Sequence, residues 1–187
     1  AIHGPENVFD FSLGNPNVEP PEAIKQAIIE VVNEFKPMDV HGYMNNSGYE
    51  EVRQAVAESL NRKRGTDFSQ ANIIMSVGAA GGLNVILTTL LDPGDEVIVF
   101  VPFFGEYRFY VDNYSGVLVP VPAPAPDFQP DLVAFSEKIT ARTKAVIINS
   151  PNNPSGRVYP EHVLKGIRDL LADHPDILLI SDEPYRR

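Results

Sequence analysis

Residues 149–156 read NSPNNPSG and follow directly on an apolar run, KAVII at 144–148. The run has the length and continuity of a strand buried on both faces, as in a parallel sheet. The octapeptide cannot extend it. Pro151 and Pro154 lack a ladder donor, and Asn152, Asn153 and Gly156 favour a tight polar turn. The chain is thereby committed to a strand that stops abruptly in an asparagine-rich loop. In an open α/β sheet the carboxyl ends of the strands are where ligands bind.

The remaining segments supply the other layers of such a fold. VFDFSLGNP at 8–16 alternates and ends in a turn at Gly14, Asn15 and Pro16. After Pro20 and Pro21, Ile24, Ala27, Ile28, Val31, Val32 and Phe35 fall at helical spacing. The loop HGYMNNSGY at 41–49 leads into a second helix marked by Val52, Ala55, Val56 and Leu60. Residues 72–77 read as a short strand, followed by Gly78, Ala79, Ala80, Gly81 and Gly82 and by a helix carrying Leu83, Ile86, Leu87, Leu90 and Leu91. A strand at 96–101 is closed by Pro102, with Phe103, Phe104 and Tyr107 just beyond, and another is expected at 116–121.

Residues 120–130 are rich in proline, which suits a stiff surface connection better than an interdomain linker because a further βαβ unit follows at once. That unit comprises a helix at 132–139, the strand into Asn149, a helix from Pro160 to about Asp173 and a final strand at 176–181. The last strand delivers Asp182, Glu183, Pro184 and Tyr185. Asn153 and Asp182 stand about thirty residues apart, the span of one βαβ unit, and a right-handed crossover brings them to one sheet edge.

Fifteen Lys and Arg against 25 Asp and Glu leave a net charge of −10, which argues against a binder of nucleic-acid backbones. There is no cysteine, so disulfides and thiolate metal sites are excluded, and the four histidines lack ligand spacing. No apolar run approaches the ~20 residues of a membrane span, and the start lacks a signal-peptide pattern, so a cytoplasmic protein is expected. The turn at 78–82 is suited to an anion: Ala79 and Ala80 would offer free backbone N–H groups at a helix start. It fits neither a Walker A loop nor a dinucleotide fingerprint.

NSPNNPSG resembles the N-x-P-x-N-P-[TS]-G signature of the fold-type I pyridoxal phosphate (PLP) enzymes, the class I/II aminotransferases. Four further segments resemble the same family in order: Gly14 to Pro16; Tyr43, Gly48 and Arg53; Ser76, Gly78, Gly82 and Leu83; and Ser181, Asp182, Glu183 and Tyr185. The resemblance implies an α/β fold, a mostly parallel sheet flanked by helices, forming the PLP-binding large domain but incomplete at the C-terminus. It implies that Gly78, Ala79 and Ala80 hold the cofactor phosphate and that Phe104 stacks on the ring. Asn153 and Tyr185 would contact the phenolic oxygen, and Asp182 the pyridine nitrogen, where a carboxylate keeps the ring an electron sink. Gly14 and Asn153 would face the substrate. Tyr43 would reach the cofactor phosphate of the partner subunit, so a homodimer is implied.

Two parts of the family pattern are missing. No lysine stands in the S-x-[ST]-K context that carries the cofactor as a Schiff base, and neither Arg186 nor Arg187 matches the carboxylate-binding arginine. The expectation is therefore an N-terminal portion of an aminotransferase, with residues 1–20 an arm and 21–187 the PLP-binding domain. Its substrates would be an amino acid, aspartate or similar, and a 2-oxo acid, with Asp182 and Tyr185 as the catalytic residues present. A carbon–sulfur lyase or aminocyclopropane-carboxylate synthase of the same fold, and a non-catalytic PLP-binding module, remain alternatives. A nicotinamide-binding domain is disfavoured by the missing fingerprint.

Overall fold

The computed structural model describes residues 7–8 and 18–185. Its contacts divide the chain into two units, residues 1–46 and 47–187; the boundary expected at 20/21 falls inside the first. In that unit α1 (Glu22–Glu34) and α2 (Pro37–His41) follow one another, and α1 buries none of its residues. Ile24, Ile28 and Val32 on its apolar stripe are exposed.

The second unit begins with α3 (Glu50–Arg64), whose ends suit its dipole: Glu50 and Glu51 lie in the first turn, and Arg62, Lys63 and Arg64 in the last. Gly65 closes it in the left-handed conformation at φ 67°, donating to the Asn61 carbonyl at 2.9 Å. Arg53 holds the segments on either side, donating to the carbonyls of Gly48 at 3.2 Å and Gln70 at 2.8 Å. The strand expected at 72–77 is not formed. Residues 70–72 make a single 3-10 turn, capped by Ser69, and Ile73 to Ser76 pair with no sheet strand. A strand exists only through a partner; here Met75 instead donates to the Ser47 carbonyl at 2.9 Å.

The sheet consists of β1 (Glu96–Val101), β2 (Val117–Pro122), β3 (Thr143–Asn149) and β4 (Leu178–Asp182), all parallel in the order β2-β1-β3-β4. Between them run α4 (Gly78–Leu90), before β1, then α5 (Glu106–Asp112), α6 (Leu132–Lys138) and α7 (Glu161–Ala172). Period-two alternation divides the strand residues between two cores. Val97 and Val99 of β1 and Ala145 and Ile147 of β3 pack with Leu83 and Leu87 of α4 and with Tyr107 and Val111 of α5. Ile98, Phe100, Val146 and Ile148 face the other way, against Phe135 of α6 and Val163 and Ile167 of α7. Burial on both faces explains why β1 and β3 are nearly continuous apolar runs.

β2 carries Pro120 and Pro122, which an edge strand tolerates because one side needs no ladder donor. The proline-rich stretch beyond it stays inside the second unit. Asp131 donates its N–H to the Pro122 carbonyl at 3.1 Å, and Arg157 Nη2 donates to the Pro126 carbonyl at 3.0 Å. Asp131 then caps α6, its carboxylate accepting from the N–H groups of Val133 and Ala134, both at 3.0 Å. α5 had no clear sequence signal: its seven residues are mostly aromatic or charged, with no helix period long enough to read.

Candidate active site

Strand order places a topological switch between β1 and β3. From β1 the chain continues to β2 on one side, then returns to build β3 and β4 on the other. The crevice outside the carboxyl ends of strands at such a switch is where open α/β sheets bind ligands. Phe104 lies three residues past the end of β1, and the NSPNNPSG loop leaves β3 directly. Asp182 is the last residue of β4, in register with Asn149, the last of β3. Parallel pairing thus brings Phe104, Asn149, Asn153 and Asp182 to one edge from separate parts of the chain.

Hydrogen bonds fix these groups. Tyr107 of α5 donates its hydroxyl to Asp182 Oδ2 at 2.6 Å. Burial first, then that bond and the carboxylate charge, hold the Tyr107 phenol far above its ordinary range, so it stays a protonated donor. Asp182 Oδ1 has no partner among the described residues. Asn149 Nδ2 donates to the Asp182 carbonyl at 2.8 Å, and Asn149 Oδ1 accepts from the Asn153 N–H at 2.7 Å. The side-chain amide of Asn153 has no partner among the described residues. Asn152, buried, shapes the turn, its Oδ1 accepting from the Ser155 hydroxyl at 2.7 Å and its N–H donating to the Arg157 carbonyl at 2.8 Å. Pro151 and Pro154 both follow cis peptide bonds.

Phe104 is partly buried, with its ring edge-to-face against Tyr107 at 5.6 Å and 81°. Its carbonyl accepts the Tyr107 N–H at 3.0 Å, which starts α5. Gly78, Ala79 and Ala80 form the exposed first turn of α4, which has no side-chain cap. Gly78 sits at φ +67°, which glycine adopts without strain, and the Ser76 hydroxyl donates to its carbonyl at 3.1 Å. One turn on, Leu83 enters the core that holds Tyr107 and receives Phe104. The uncapped turn is thereby anchored on the sheet face that carries the aromatic residues.

The other expected residues are less tied. Tyr185 is exposed on the turn after β4, Tyr43 is fully exposed in the first unit, and Gly14 lies outside the described residues. Lys144 stands at the amino end of β3, the opposite edge from Asn149. Lys165 is paired with Glu161 on α7 at 2.8 Å. Two participants escaped the sequence reading. Tyr107 looked like one more core aromatic, and only its three-residue spacing from Phe104 hinted that a helical turn would set both beside one site. Asn149 looked like the end of a strand, although a polar residue closing an apolar run is itself a signal. Among the described residues no cluster of His, Asp or Glu could hold a metal ion, and no helix is long and apolar enough to cross a membrane.

The sequence profile of the family described as aminotransferase class I and II matches residues 6–187. The chain belongs to this family. Class I and II aminotransferases are PLP-dependent, and the groups assembled at the edge fit that cofactor: an uncapped helix start for a phosphate, an aromatic face, and an amide and a carboxylate oxygen that have no partner among the described residues. A probable aspartate/prephenate aminotransferase of Thermus aquaticus is 39% identical over 94% of this chain and 45% of its own length. An aspartate aminotransferase of Pyrococcus horikoshii is 34% identical over 96% of this chain and 45% of its own length. Among solved structures, an aminotransferase from Eubacterium rectale superposes with a TM-score of 0.93 at 43% identity, covering 98% of this chain and 48% of that one. The chain spans less than half the length of these relatives.

Proposed function

We propose that this chain forms the cofactor-binding part of a PLP-dependent aminotransferase that moves an amino group between an amino acid, aspartate or similar, and a 2-oxo acid. Residues 1–20 would serve as an N-terminal arm, residues 21–187 would hold the cofactor, and the protein would be a cytoplasmic homodimer. The reading rests chiefly on Asp182 at the carboxyl edge of the sheet, whose Oδ2 is held by Tyr107 while Oδ1 has no partner among the described residues. When bound, PLP supplies an electron sink for the carbanion that forms at the substrate α-carbon.

The chain's own residues have separable tasks. Asp182 Oδ1 would accept a hydrogen bond from the protonated ring nitrogen and keep it charged, while Tyr107 holds the carboxylate through Oδ2. Phe104 provides a flat apolar face and excludes water from one side. The Ala79 and Ala80 N–H groups receive a phosphate at the positive end of α4. The Asn153 amide donates to a phenolic oxygen, with Tyr185 as a second donor, and both Asn153 and Gly14 would meet the substrate. Tyr43, fully exposed, is free to serve a partner subunit.

The test is a titration with PLP of the enzyme in which this chain forms the cofactor-binding part, followed by visible absorption, alongside turnover of aspartate with a 2-oxo acid. Asp182→Ala is expected to abolish most turnover in a protein that remains folded, and Asn153→Ala to shift the absorption of the bound cofactor. Near-normal turnover in the first variant, or an unchanged spectrum in the second, contradicts the corresponding role. A fully active monomer rules out the contribution of Tyr43.

A further inference from the structure

Asn149 closes β3 where the ladder can go no further, because Pro151, two residues on, has no N–H to donate. At that point its side chain takes over the work of the ladder. Nδ2 donates to the backbone carbonyl of Asp182 at 2.8 Å, and Oδ1 accepts from the backbone N–H of Asn153 at 2.7 Å. The residue is 4% exposed, so water does not substitute for either bond. An amide has one donor end and one acceptor end, and each is used on a different residue of the site. Asp182 and Asn153 are otherwise delivered by separate routes, one by β4 and one by a loop.

We infer that Asn149 is the positioning residue that sets the separation of Asp182 from Asn153, and hence of the nitrogen-binding carboxylate from the amide that meets the phenolic oxygen. This rests on the proposed PLP site and deepens it. Asn149 spends both ends of its amide on backbone groups and acts through the two backbones it bridges. Its side chain has no other partner among the described residues. Aspartate at this position keeps an acceptor for the Asn153 N–H and loses the donor to Asp182, whereas alanine loses both. The two halves of the bridge can therefore be cut in turn.

The experiment uses the holoenzyme and its Asn149→Ala and Asn149→Asp variants, each stripped of cofactor and titrated with PLP. Three quantities are read: the dissociation constant, the absorption band at saturating PLP, and hydrogen exchange of the Asn153 amide before PLP is added. Both variants are expected to bind PLP about tenfold more weakly or worse, the loss that one abandoned buried polar group implies. Only Asn149→Ala is expected to shift the absorption band and to expose the Asn153 amide to exchange. A residue that merely supported the fold would lower the melting temperature and leave the band at saturation unchanged. If either variant binds PLP within twofold of the parent, the inference is overturned. Should Asn149→Ala fail to fold, the affinity and protected amide of Asn149→Asp decide alone. A parent protein that binds no PLP overturns the proposed function and this inference together; a parent that binds, with variants that bind equally, overturns only the inference.

Discussion

Replacing Tyr107 by phenylalanine removes one oxygen from a side chain that is 1% exposed, leaving its ring and its edge-to-face contact with Phe104 in place. Among the described residues the only hydrogen bond lost is the 2.6 Å bond to Asp182 Oδ2, which ties α5 to the end of β4 across 75 residues of sequence. Hydrogen bonds to a charged acceptor contribute roughly 1.5–3 kcal/mol. Asp182 is only partly buried, so water can replace the phenol at Oδ2, which places the loss at the lower end, about 1.5 kcal/mol. That is about a tenfold change in the ratio of folded to unfolded protein. Urea denaturation of Tyr107→Phe should show a lower midpoint with an unchanged slope, since no extra surface is exposed.

A double-mutant cycle with Asp182→Ala isolates the bond from other effects of each change. The expected coupling is about 1 kcal/mol or more; a coupling under about 0.3 kcal/mol, the scatter of independent sites, refutes the claim that this bond holds the carboxylate. Cofactor affinity provides a second reading. With Oδ2 released, the carboxylate samples other rotamers and must be reordered on binding, so PLP affinity should fall along with stability.

The tyrosines also predict a pH dependence. Burial pushes the Tyr159 phenol up to about 12, against about 10 for an unperturbed tyrosine. Between about pH 10 and 12 the unfolded chain has lost this proton while the folded one retains it, so stability is complete below pH 10 and falls through that window, by up to about 1.4 kcal/mol per pH unit. Denaturation midpoints at about pH 9 and 11.5 measure the fall, and Tyr159→Phe should reduce it; an unchanged slope contradicts the assignment. Two glycines separate conformation from crowding. Gly48 lies at φ +96°, and a Cβ there would stand 2.5 Å from Met75 Cγ, so Gly48→Ala should cost about 2–4 kcal/mol in a denaturation curve. Gly78 lies at φ +67° with nothing within 4 Å of a Cβ, so Gly78→Ala should cost only about 1 kcal/mol; equal losses at the two positions would contradict this account.

Much of the architecture was legible before any coordinates. The run at 144–148 reads as a buried parallel strand and that at 96–101 as another strand, and α7, with Val163 and Ile167 on its inner side, carries a helix period. Proline punctuation located the ends of β1 and β3, and Phe104 and Asn153 were identified just beyond them; Asp182, expected directly after the final strand, is instead its last residue. The segment at 72–77 shows where this reasoning stops. Its apolar residues have the propensity of a strand, yet propensity does not provide a neighbour, and the described structure leaves Ile73 to Ser76 outside the sheet.

Sequence alone therefore determined most of the strands and helices, the ends of β1 and β3, and the residue types that stand there, because these follow from periodicity and from what proline and glycine permit locally. Only the tertiary structure decided that Tyr107 bonds Asp182 and that Asn149 joins Asp182 to Asn153. Those bonds depend on strand order and on the register of β3 with β4, which pairs Asn149 with Asp182. Register is a relation between segments distant in the chain, and no local pattern of either segment contains it.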